Sequence, residues 1–311
     1  MQNEIFLSLL LGFLLDCLVG DPHSIPHPVV LIGKLIGIAE KAMRALFPKT
    51  PWGEKLAGGA VVPWILLHLA NGVSPWLGLA LETVMCAQIL ATKSLRQESM
   101  QVFEALKTGD LARSQYAVSR IVGRDTARLD EAGVTRAAVE TVAENASDGV
   151  IAPMLYMAIG GVWLMFLYKG INTMDSMLGY VEPPYQNVGL VPAKMDDVFN
   201  FLPARLSGLL MLAAGALLGM DGKNGWKIFC RDRYNHASPN SAQTEAVCAG
   251  LLDLRLAGDA WYHGVLHKKK FIGDPIREIE DADIPRACRL LYATAFLGLV
   301  LFAGLKFCFL F

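Results

Sequence analysis

Three acidic residues recur at intervals of four in the middle of the chain. Glu140, Glu144 and Asp148 would share one face of a helix, with Asn145 beside them. Like charges so placed repel each other, and a bound cation would relieve the repulsion. Because carboxylate and amide oxygens suit Mg²⁺, the spacing indicates a magnesium site. The alternative is an exposed acidic face that pairs with Arg136 and its neighbours.

A second acidic element precedes an apolar segment. Asp196 and Asp197 are adjacent, and Asn200 lies one helical turn beyond Asp196. Such a pattern resembles Mg²⁺-phosphate sites, in which the ion neutralises charge and bridges oxygens. A plain helix N-terminus also explains Asp196, since acids are favoured at the positive end of the helix dipole. We expect the two acidic elements to meet at one Mg²⁺-phosphate site, which would relieve the repulsion in both clusters.

Further polar clusters carry residue types that perform acid–base or binding chemistry. The proline-rich loop 20–28 would hold Asp21 and His27 on a stiff, extended backbone. A membrane-exit turn would explain the prolines but neither of these two side chains. Two other clusters follow apolar segments. Their polar residues are Lys169, Asn172, Asp175, Ser176 and Tyr180 in one, and Arg231, Arg233, His236, Asn240 and Glu245 in the other.

Long apolar segments must position these residues. The chain has 311 residues, 53% hydrophobic and 18% charged, with a mean hydropathy of +0.38, which is high for a soluble domain. We predict an all-α, polytopic membrane helical protein with about six apolar segments and helical polar loops, folded as a single integral membrane domain over residues 1–311. The segments are Ile5–Val19, two within Leu56–Ala91, Val150–Tyr168, Leu206–Met220 and Leu290–Phe311.

Composition also argues against other kinds of protein and segment. A net charge of −1 and a pI near 6.6, without a stripe of clustered Lys and Arg, argue against a nucleic-acid binder. The first apolar segment has Glu4 in place of a basic region, so we interpret it as an uncleaved span and not as a signal peptide. The six cysteines are scattered without a C-x-x-C pair and are interpreted as buried small hydrophobic residues.

Basic residues predict the orientation of the spans. Loops 20–55 and 92–149 carry an excess of Lys and Arg, so the positive-inside rule places both in the cytoplasm, and segment 221–289 likewise. With six spans, segment 169–204 falls on the opposite side, although its polar residues should meet the cytoplasmic ones. A re-entrant or half-buried helix pair around Val150–Tyr168 and Leu206–Met220 would resolve this conflict. The expected location is the inner (plasma) membrane.

The polar motifs together resemble those of the adenosylcobinamide-phosphate synthase family, membrane proteins of cobalamin biosynthesis. The resemblance covers nearly the whole chain, and six blocks in the right order are far more specific than any one block. The blocks are G-D-P-H-S-I-P-H-P-V at 20–29, I-V-G-R-D-T at 121–126, E-T-V-A-E-N-A-S-D-G-V-I-A-P at 140–153, Y-K-G-I-N-T-M-D-S-M-L-G-Y at 168–180, M-D-D-V-F-N-F-L-P-A-R at 195–205 and R-D-R-Y-N-H-A-S-P-N-S-A-Q-T-E-A at 231–246.

This resemblance implies an ATP-dependent ligase. The enzyme would join a carboxylate of adenosylcobyric acid in amide linkage to aminopropanol or its O-phosphate, giving adenosylcobinamide or its phosphate. Activating a carboxylate by phosphoryl transfer requires Mg²⁺ held by acids, cations on the phosphates and shielding from water. The implied cofactors are ATP and Mg²⁺, although the chain contains neither a G-x-x-x-x-G-K-[ST] nor a G-x-G-x-x-G motif.

The implied reaction divides the candidate residues into three groups. The metal ligands would be Glu140, Glu144, Asp148, Asp196 and Asp197. The acid–base or substrate-orienting residues would be Asp21, His27, Asp175 and His236. The substrate-binding residues would be Lys169, Arg205 and Arg231 on phosphates, together with Asn172, Ser176, Asn240 and Glu245.

Two functions of other classes stay open. A membrane transferase acting on an isoprenyl or lipid diphosphate would also use Mg²⁺ and an aspartate pair, but would not need ATP. A membrane transporter would explain Asp16 and Glu82 inside apolar segments, yet its polar residues should lie at mid-span and not mainly in loops. The expected partners are the corrinoid, aminopropanol phosphate and membrane lipid, and the oligomeric state is left open.

Overall fold

The computed structural model describes residues 2–20, 28–46, 50, 75–179, 187–262 and 264–308, which are mostly helical. The helices are α1 (Gln2–Val19), α2 (Pro28–Leu46), α3 (Pro75–Ile89), α4 (Thr92–Lys107), α5 (Leu111–Ser119), α6 (Glu131–Asn145), α7 (Ala152–Leu178), α8 (Leu190–Phe199), α9 (Phe201–Leu217), α10 (Gly222–Asp232), α11 (Ser241–Leu251) and α12 (Asp283–Cys308). A π-helix, Ala146–Ile151, connects α6 to α7.

Four short strands depart from the all-α prediction. β1 (Leu256–Ala257) pairs antiparallel with β4 (Phe271–Ile272), and β2 (Ala260–Tyr262) pairs antiparallel with β3 (Val265–His267). Strands of two or three residues are too short to show the alternation of apolar and polar residues by which a strand is recognised in a sequence. The helical class is therefore confirmed for most of the described chain, and segment 256–272 is a local exception.

The number of membrane spans differs from the prediction. Among the described residues, Glu131–Leu178 and Asp283–Lys306 are long and apolar enough to cross a membrane, and Leu190–Phe199 with Phe201–Leu217 would add a third as one bent span. Ile5–Val19 forms a shorter apolar helix. Part of the expected segment Leu56–Ala91 lies outside the described residues. The count of about six is thus not confirmed, while the two or three apolar helices are consistent with a membrane protein.

The chain divides into two compact units. The first contains residues 1–90, 152–200 and 302–311, and the second contains residues 91–151 and 201–301. This division reflects packing within the chain and does not test the prediction of one membrane domain.

Helices α1, α2 and α3 of the first unit pack against α7. Helix α7 is broken where Gly161 adopts a φ of +69°, a left-handed conformation that costs glycine little. Beyond this break, Met165, Tyr168 and Ile171 are fully buried. Because of this break, the C-terminal half of α7, which carries the polar residues of the helix, does not continue the direction of the N-terminal half.

Two helices form the framework of the second unit. Helix α6 begins after Asp130, whose side chain accepts a hydrogen bond from the Gly133 N–H, and its apolar residues are buried. Helix α11 is buried along its whole length and packs on α6, α9 and α10. Gly250 permits the close approach of α10, because a Cβ atom there would lie 2.7 Å from the carbonyl oxygen of Asn224. These contacts fix the two helices that carry the acidic residues of the site.

Candidate functional site

The second unit contains a polar cavity of about 140 Å³. Helix α6 contributes two carboxylates to its lining, α11 contributes one, and the loops before α6 and α11 and after β3 contribute the remaining charged groups. The ionisable side chains discussed below that line it are Arg124, Glu140, Glu144, His236, Glu245 and Lys269. Glu140 and Glu144 lie on the same face of α6, as their spacing predicts.

Glu140 is held by donors from the protein itself. Arg124 donates to one carboxylate oxygen, and the backbone N–H of Ala257 donates to the other at 2.6 Å. Ala257 has a φ of 59°, a left-handed conformation that is unusual for a residue with a side chain. Burial alone would lower the pKa of Arg124, but Glu140 raises it above its usual value, so the pair stays ionised. Glu140 thereby links segment 256–272, which contains the four short strands and is called the strand segment below, to α6.

Glu144 lies one turn further along α6 and is half-buried at the cavity wall. The hydroxyl of Ser241, the first residue of α11, donates a hydrogen bond of 2.8 Å to its Oε1. The hydrogen bond fixes the direction of the carboxylate but adds no positive charge. Glu144 therefore contributes negative charge to the cavity.

Glu245 is the most deeply buried carboxylate of the cavity, with 5% of its surface exposed. Burial raises its pKa well above the usual value, and the negative charges of Glu144 and Glu140 raise it further, against the opposing effect of Arg124 and Lys269. Its Oε2 has no hydrogen-bond partner in the part of the chain that the structure describes. Glu245 is therefore a buried carboxylic acid with a free polar atom.

His236 lies in the loop between α10 and α11. Its Nδ1 accepts a hydrogen bond of 3.1 Å from the backbone N–H of Ser238. Burial lowers the pKa of the imidazole, although Glu144 opposes the shift. The ring is therefore neutral near pH 7 with its proton on Nε2, because Nδ1 acts as the acceptor.

The loop that carries His236 is tied to the neighbouring helices. The side-chain amide of Gln243 donates to the carbonyl oxygens of Arg233 and Pro239, each at 3.1 Å. Arg205 donates to the side chain of Asn240 at 2.6 Å. In this structure Arg205 and Asn240, both predicted to bind substrate, thus hold the loop that presents His236. Their contact with substrate stays a prediction.

The cation of Lys269 completes the lining. Its ammonium group donates to the hydroxyl of Tyr262 at 2.8 Å, and its backbone N–H donates to Asp259 at 3.1 Å. Its charge is thus placed on the side of the cavity formed by the strand segment. Together the cavity offers carboxyl groups, one of which has a raised pKa, a neutral imidazole and a cation, a set suited to acid–base chemistry on a polar substrate.

The donor set also fits a hard cation. The carboxylates of Glu144 and Glu245 face the cavity and lack a cationic hydrogen-bond donor, whereas those of Glu140 are taken by Arg124 and Ala257. In the described part of the chain, no three His, Cys, Asp or Glu side chains form a metal-binding group. Mg²⁺ is commonly held by one or two carboxylates with water and substrate phosphates. Glu144 would be the protein ligand, because a metal-bound carboxylate must be ionised and burial raises the pKa of Glu245.

Asp148 does not follow the predicted face. It lies in the π-helix and does not line the cavity. A π-helical turn contains more residues than an α-helical turn, so residues beyond it are rotated away from the face of the preceding helix. The π-helix is itself anchored, because the Gly149 carbonyl accepts a hydrogen bond from the Ala91 N–H at 3.0 Å.

Several other predicted residues lie away from the cavity. Asp21 and His27 lie outside the described residues. Arg231 donates hydrogen bonds to the carboxylates of Asp232 and Asp274 and does not line the cavity. Its predicted role on phosphate is untested, but its donors are engaged by these two carboxylates.

The second acidic element forms a polar cluster in the first unit. Asn200 donates to both oxygens of Asp196 at 3.0 Å, Asn172 donates to one of them at 3.3 Å, and Tyr168 donates to Asn200 at 2.8 Å. Lys169 donates to Asn172 at 3.4 Å. The predicted residues Lys169, Asn172 and Asp196 are therefore brought together by α7 and α8.

The remaining predicted residues of the first unit are placed as follows. Asp197 pairs with Lys194 at 3.0 Å, and the Ser176 hydroxyl donates to the backbone of Asn172. Asp175 lies in the last turns of α7. Since Asp196 belongs to the first unit and Glu140 to the second, the predicted meeting of the two acidic elements stays a prediction.

Sequence reasoning missed three residues of the cavity as site residues. Arg124 stands in one of the six motif blocks, which is the signal that could have identified it. Lys269 lies in a run of three lysines that was interpreted as an indicator of topology. Tyr262 lies in a strand that the sequence does not reveal, so no local signal points to it.

A largely helical chain with two or three apolar helices long enough to cross a membrane, among the described residues, is consistent with a membrane protein that also contains a polar, carboxylate-rich cavity. The family model of CobD/Cbib protein matches residues 9–291, and the chain belongs to this family. It is similar to the "Cobalamin biosynthesis protein CobD" of Clostridium perfringens, 42% identical over 94% of this chain and 96% of the relative, and of Klebsiella pneumoniae, 43% identical over 95% and 96%.

A further relative carries the other name of the family. The "Cobalamin biosynthesis protein CbiB" of Salmonella choleraesuis is 42% identical over 95% of this chain and 96% of its own length. No solved structure matches the chain significantly.

Proposed function

We propose that the protein is an ATP-dependent ligase of cobalamin biosynthesis, located in the plasma membrane, that joins adenosylcobyric acid to aminopropanol or its O-phosphate. The family and the names of the relatives support a role in cobalamin biosynthesis. The observation that carries the proposed chemistry is the cavity that Glu144, His236 and Glu245 line together, with the pKa of Glu245 raised by burial.

Amide formation requires a proton acceptor. As the amine nitrogen attacks the activated carboxylate, it must lose a proton, and the leaving oxygen must be stabilised. The carboxylate of Glu144 is held in direction by the hydroxyl of Ser241, and we assign it as the group that accepts this proton. Neutral His236 assists through its Nε2 proton, which can be donated to an oxygen of the substrate.

Glu245 supplies the complementary acid. Burial and the charges of Glu144 and Glu140 raise the pKa of Glu245 well above its usual value, which favours the neutral carboxyl group, and its Oε2 has no hydrogen-bond partner among the described residues. A buried neutral acid can donate a hydrogen bond to developing negative charge without adding repulsion. In this proposal Glu144 acts as the base, and the more deeply buried Glu245 acts as the acid.

The positive charges that line the cavity are suited to binding phosphate groups. Lys269 carries a charge that is not paired with a carboxylate in the described part of the chain, and Arg124 also lines the cavity. ATP, when bound, supplies the phosphoryl group that activates the carboxylate, and Mg²⁺ on Glu144 would neutralise its phosphates.

The test is a reconstituted reaction. Protein purified in detergent is supplied with adenosylcobyric acid, aminopropanol phosphate and Mg-ATP, and both the corrinoid product and ADP are measured. We expect product and ADP in equal amounts, and neither when the amine or the corrinoid is omitted. Product formed without ATP would contradict the ligase assignment and would favour a transferase.

A matched pair of variants links the reaction to the cavity. Glu144→Gln retains size and hydrogen bonding but removes the base, so turnover should fall at least about 100-fold. Glu104→Gln makes the same chemical change on the exposed surface of α4 and should retain normal turnover. Equal turnover in both variants would place the chemistry elsewhere in the molecule.

A further inference from the structure

A second cavity in the second unit has a different chemical character. It measures about 310 Å³ and is open to the surface beside α4 and the first turns of α12. Met100, Pro285 and Cys288 form apolar walls, and Arg96, Arg289 and Tyr292 bring polar groups. It shares no residue with the acidic cavity described above. We call this cavity the arginine cleft.

The two arginines of this cleft lack partners. Arg96 and Arg289 are exposed, and neither forms a hydrogen bond or ion pair with another residue in the described chain. Their neighbour Arg286 is different, because its guanidinium donates to Glu280 at 3.2 Å and to Asp283 at 2.8 Å. The cleft therefore presents two guanidinium groups without a counter-charge from the protein, and an anion would supply it.

The position of the cleft indicates where that anion comes from. Asp283–Lys306 is a candidate membrane span, and Arg289 directly precedes its apolar run. Phe296 and Val300 follow at helical spacing on the same face as Arg289, and they are 59% and 53% exposed. Exposed apolar side chains on a spanning helix contact lipid tails. A cationic cleft thus lies directly above a face suited to acyl chains.

We propose that the arginine cleft binds the headgroup of an anionic phospholipid. The phosphodiester lies between the guanidinium groups of Arg96 and Arg289, whose planar donors match phosphate oxygens. The glycerol and first methylenes contact Met100 and Pro285, and an acyl chain follows Phe296 and Val300. Basic pockets beside spanning helices bind anionic lipid headgroups by these forces. The single negative charge of the phosphodiester would offset part of the positive charge of the two arginines, and the bound lipid would fix α4 against α12 at the membrane surface.

The experiment compares lipids on the full-length protein in neutral detergent. Phosphatidylglycerol, phosphatidylcholine and inorganic phosphate are added separately, and bound lipid is counted by native mass spectrometry alongside the melting temperature. We expect phosphatidylglycerol to bind and to raise the melting temperature, whereas the other two additions have little effect. Replacing each arginine should weaken binding about fivefold, so Arg96→Gln with Arg289→Gln should lose about 25-fold.

Two further variants make the test specific. Arg113→Gln removes one charge from the exposed surface of α5, away from the cleft, and should bind phosphatidylglycerol normally. Met100→Trp retains both arginines but fills the cleft, and should weaken binding as well. Equal binding by all variants would overturn the proposal. A response to inorganic phosphate as large as the response to phosphatidylglycerol would also overturn it, in favour of a site for soluble anions.

Discussion

Asp232 and Glu245 are two carboxylates of the second unit that are buried to a similar degree but differ in their hydrogen-bond donors and in the charges around them. They are 4% and 5% exposed, and both belong to the motif block at 231–246. Asp232 accepts hydrogen bonds from Arg231 at 2.7 and 2.8 Å and from the Gly273 N–H at 2.8 Å. Glu245 has other carboxylates as its nearest charges and leaves one oxygen without a donor.

The pKa values of Asp232 and Glu245 shift in opposite directions for this reason. Burial would raise the pKa of Asp232, but the donors of Arg231 and Gly273 outweigh it and the pKa is lowered. For Glu245, burial and the neighbouring carboxylates act in the same direction, and the pKa is raised well above its usual value. Burial alone therefore does not identify a chemical role. A buried carboxylate with donors, such as Asp232, cross-links the fold, whereas the raised pKa of Glu245 favours its protonated form.

The largest effect should come from removing the proton of Glu245. Glu245→Gln is nearly isosteric and introduces a neutral polar group, so the variant should fold and its melting temperature should not decrease. Turnover should fall at least about 100-fold, because the amide cannot exchange a proton with the substrate. The measurement is product formation in the reconstituted assay, with Glu104→Gln as control. A variant that retains both stability and turnover would show that Glu245 occupies space in the protein interior and takes no part in the reaction.

A smaller effect, on stability and not on chemistry, should follow from Asp232→Asn. The new amide cannot satisfy the guanidinium of Arg231 and leaves the Gly273 N–H with a weaker acceptor. The partly exposed Arg231 limits the loss to about 1–3 kcal/mol of unfolding free energy. Thermal unfolding in detergent measures it, and turnover below the melting point should stay near normal. Lost turnover without lost stability would place Asp232 in the chemistry.

The smallest effect should be a dependence of stability on pH, to which Asp232 and Glu245 contribute in opposite directions. Asp232 has a folded-state pKa below 3.8, so its contribution is present above that pH and is lost as the pH falls through the lowered value. Glu245 has a folded-state pKa above 4.5, so its contribution is complete below that pH and is lost as the pH rises towards the raised value.

The corresponding variants isolate these two slopes. Relative to the original protein, Glu245→Gln should be increasingly more stable as the pH rises above 4.5, and Asp232→Asn should lose its disadvantage as the pH falls below 3.8. Melting temperatures across this pH range measure both differences. Parallel curves for the original protein and Glu245→Gln would show that Glu245 is ionised in the folded state.

Much of the architecture and part of the cavity follow from sequence patterns. The spacing of Glu140 and Glu144 placed both on one face of α6, where they line the cavity together. Asp148 does not line this cavity, and it lies in a π-helical turn, which spacing alone does not reveal. The two strand pairs were missed for a related reason, since their two or three residues carry too little periodicity.

The sequence by itself determined the helical class, the family and the identity of most polar residues that matter, because apolar runs and ordered motifs are local properties of the chain. Only the tertiary structure decided what each acid does. Arg124 and Lys269 reach the cavity from loops distant in sequence from Glu245, and Arg231 reaches Asp232 instead. Because a carboxylate's pKa depends on donors and charges brought within a few ångströms by folding, no reading of residues 231–246 alone could have separated Asp232 from Glu245.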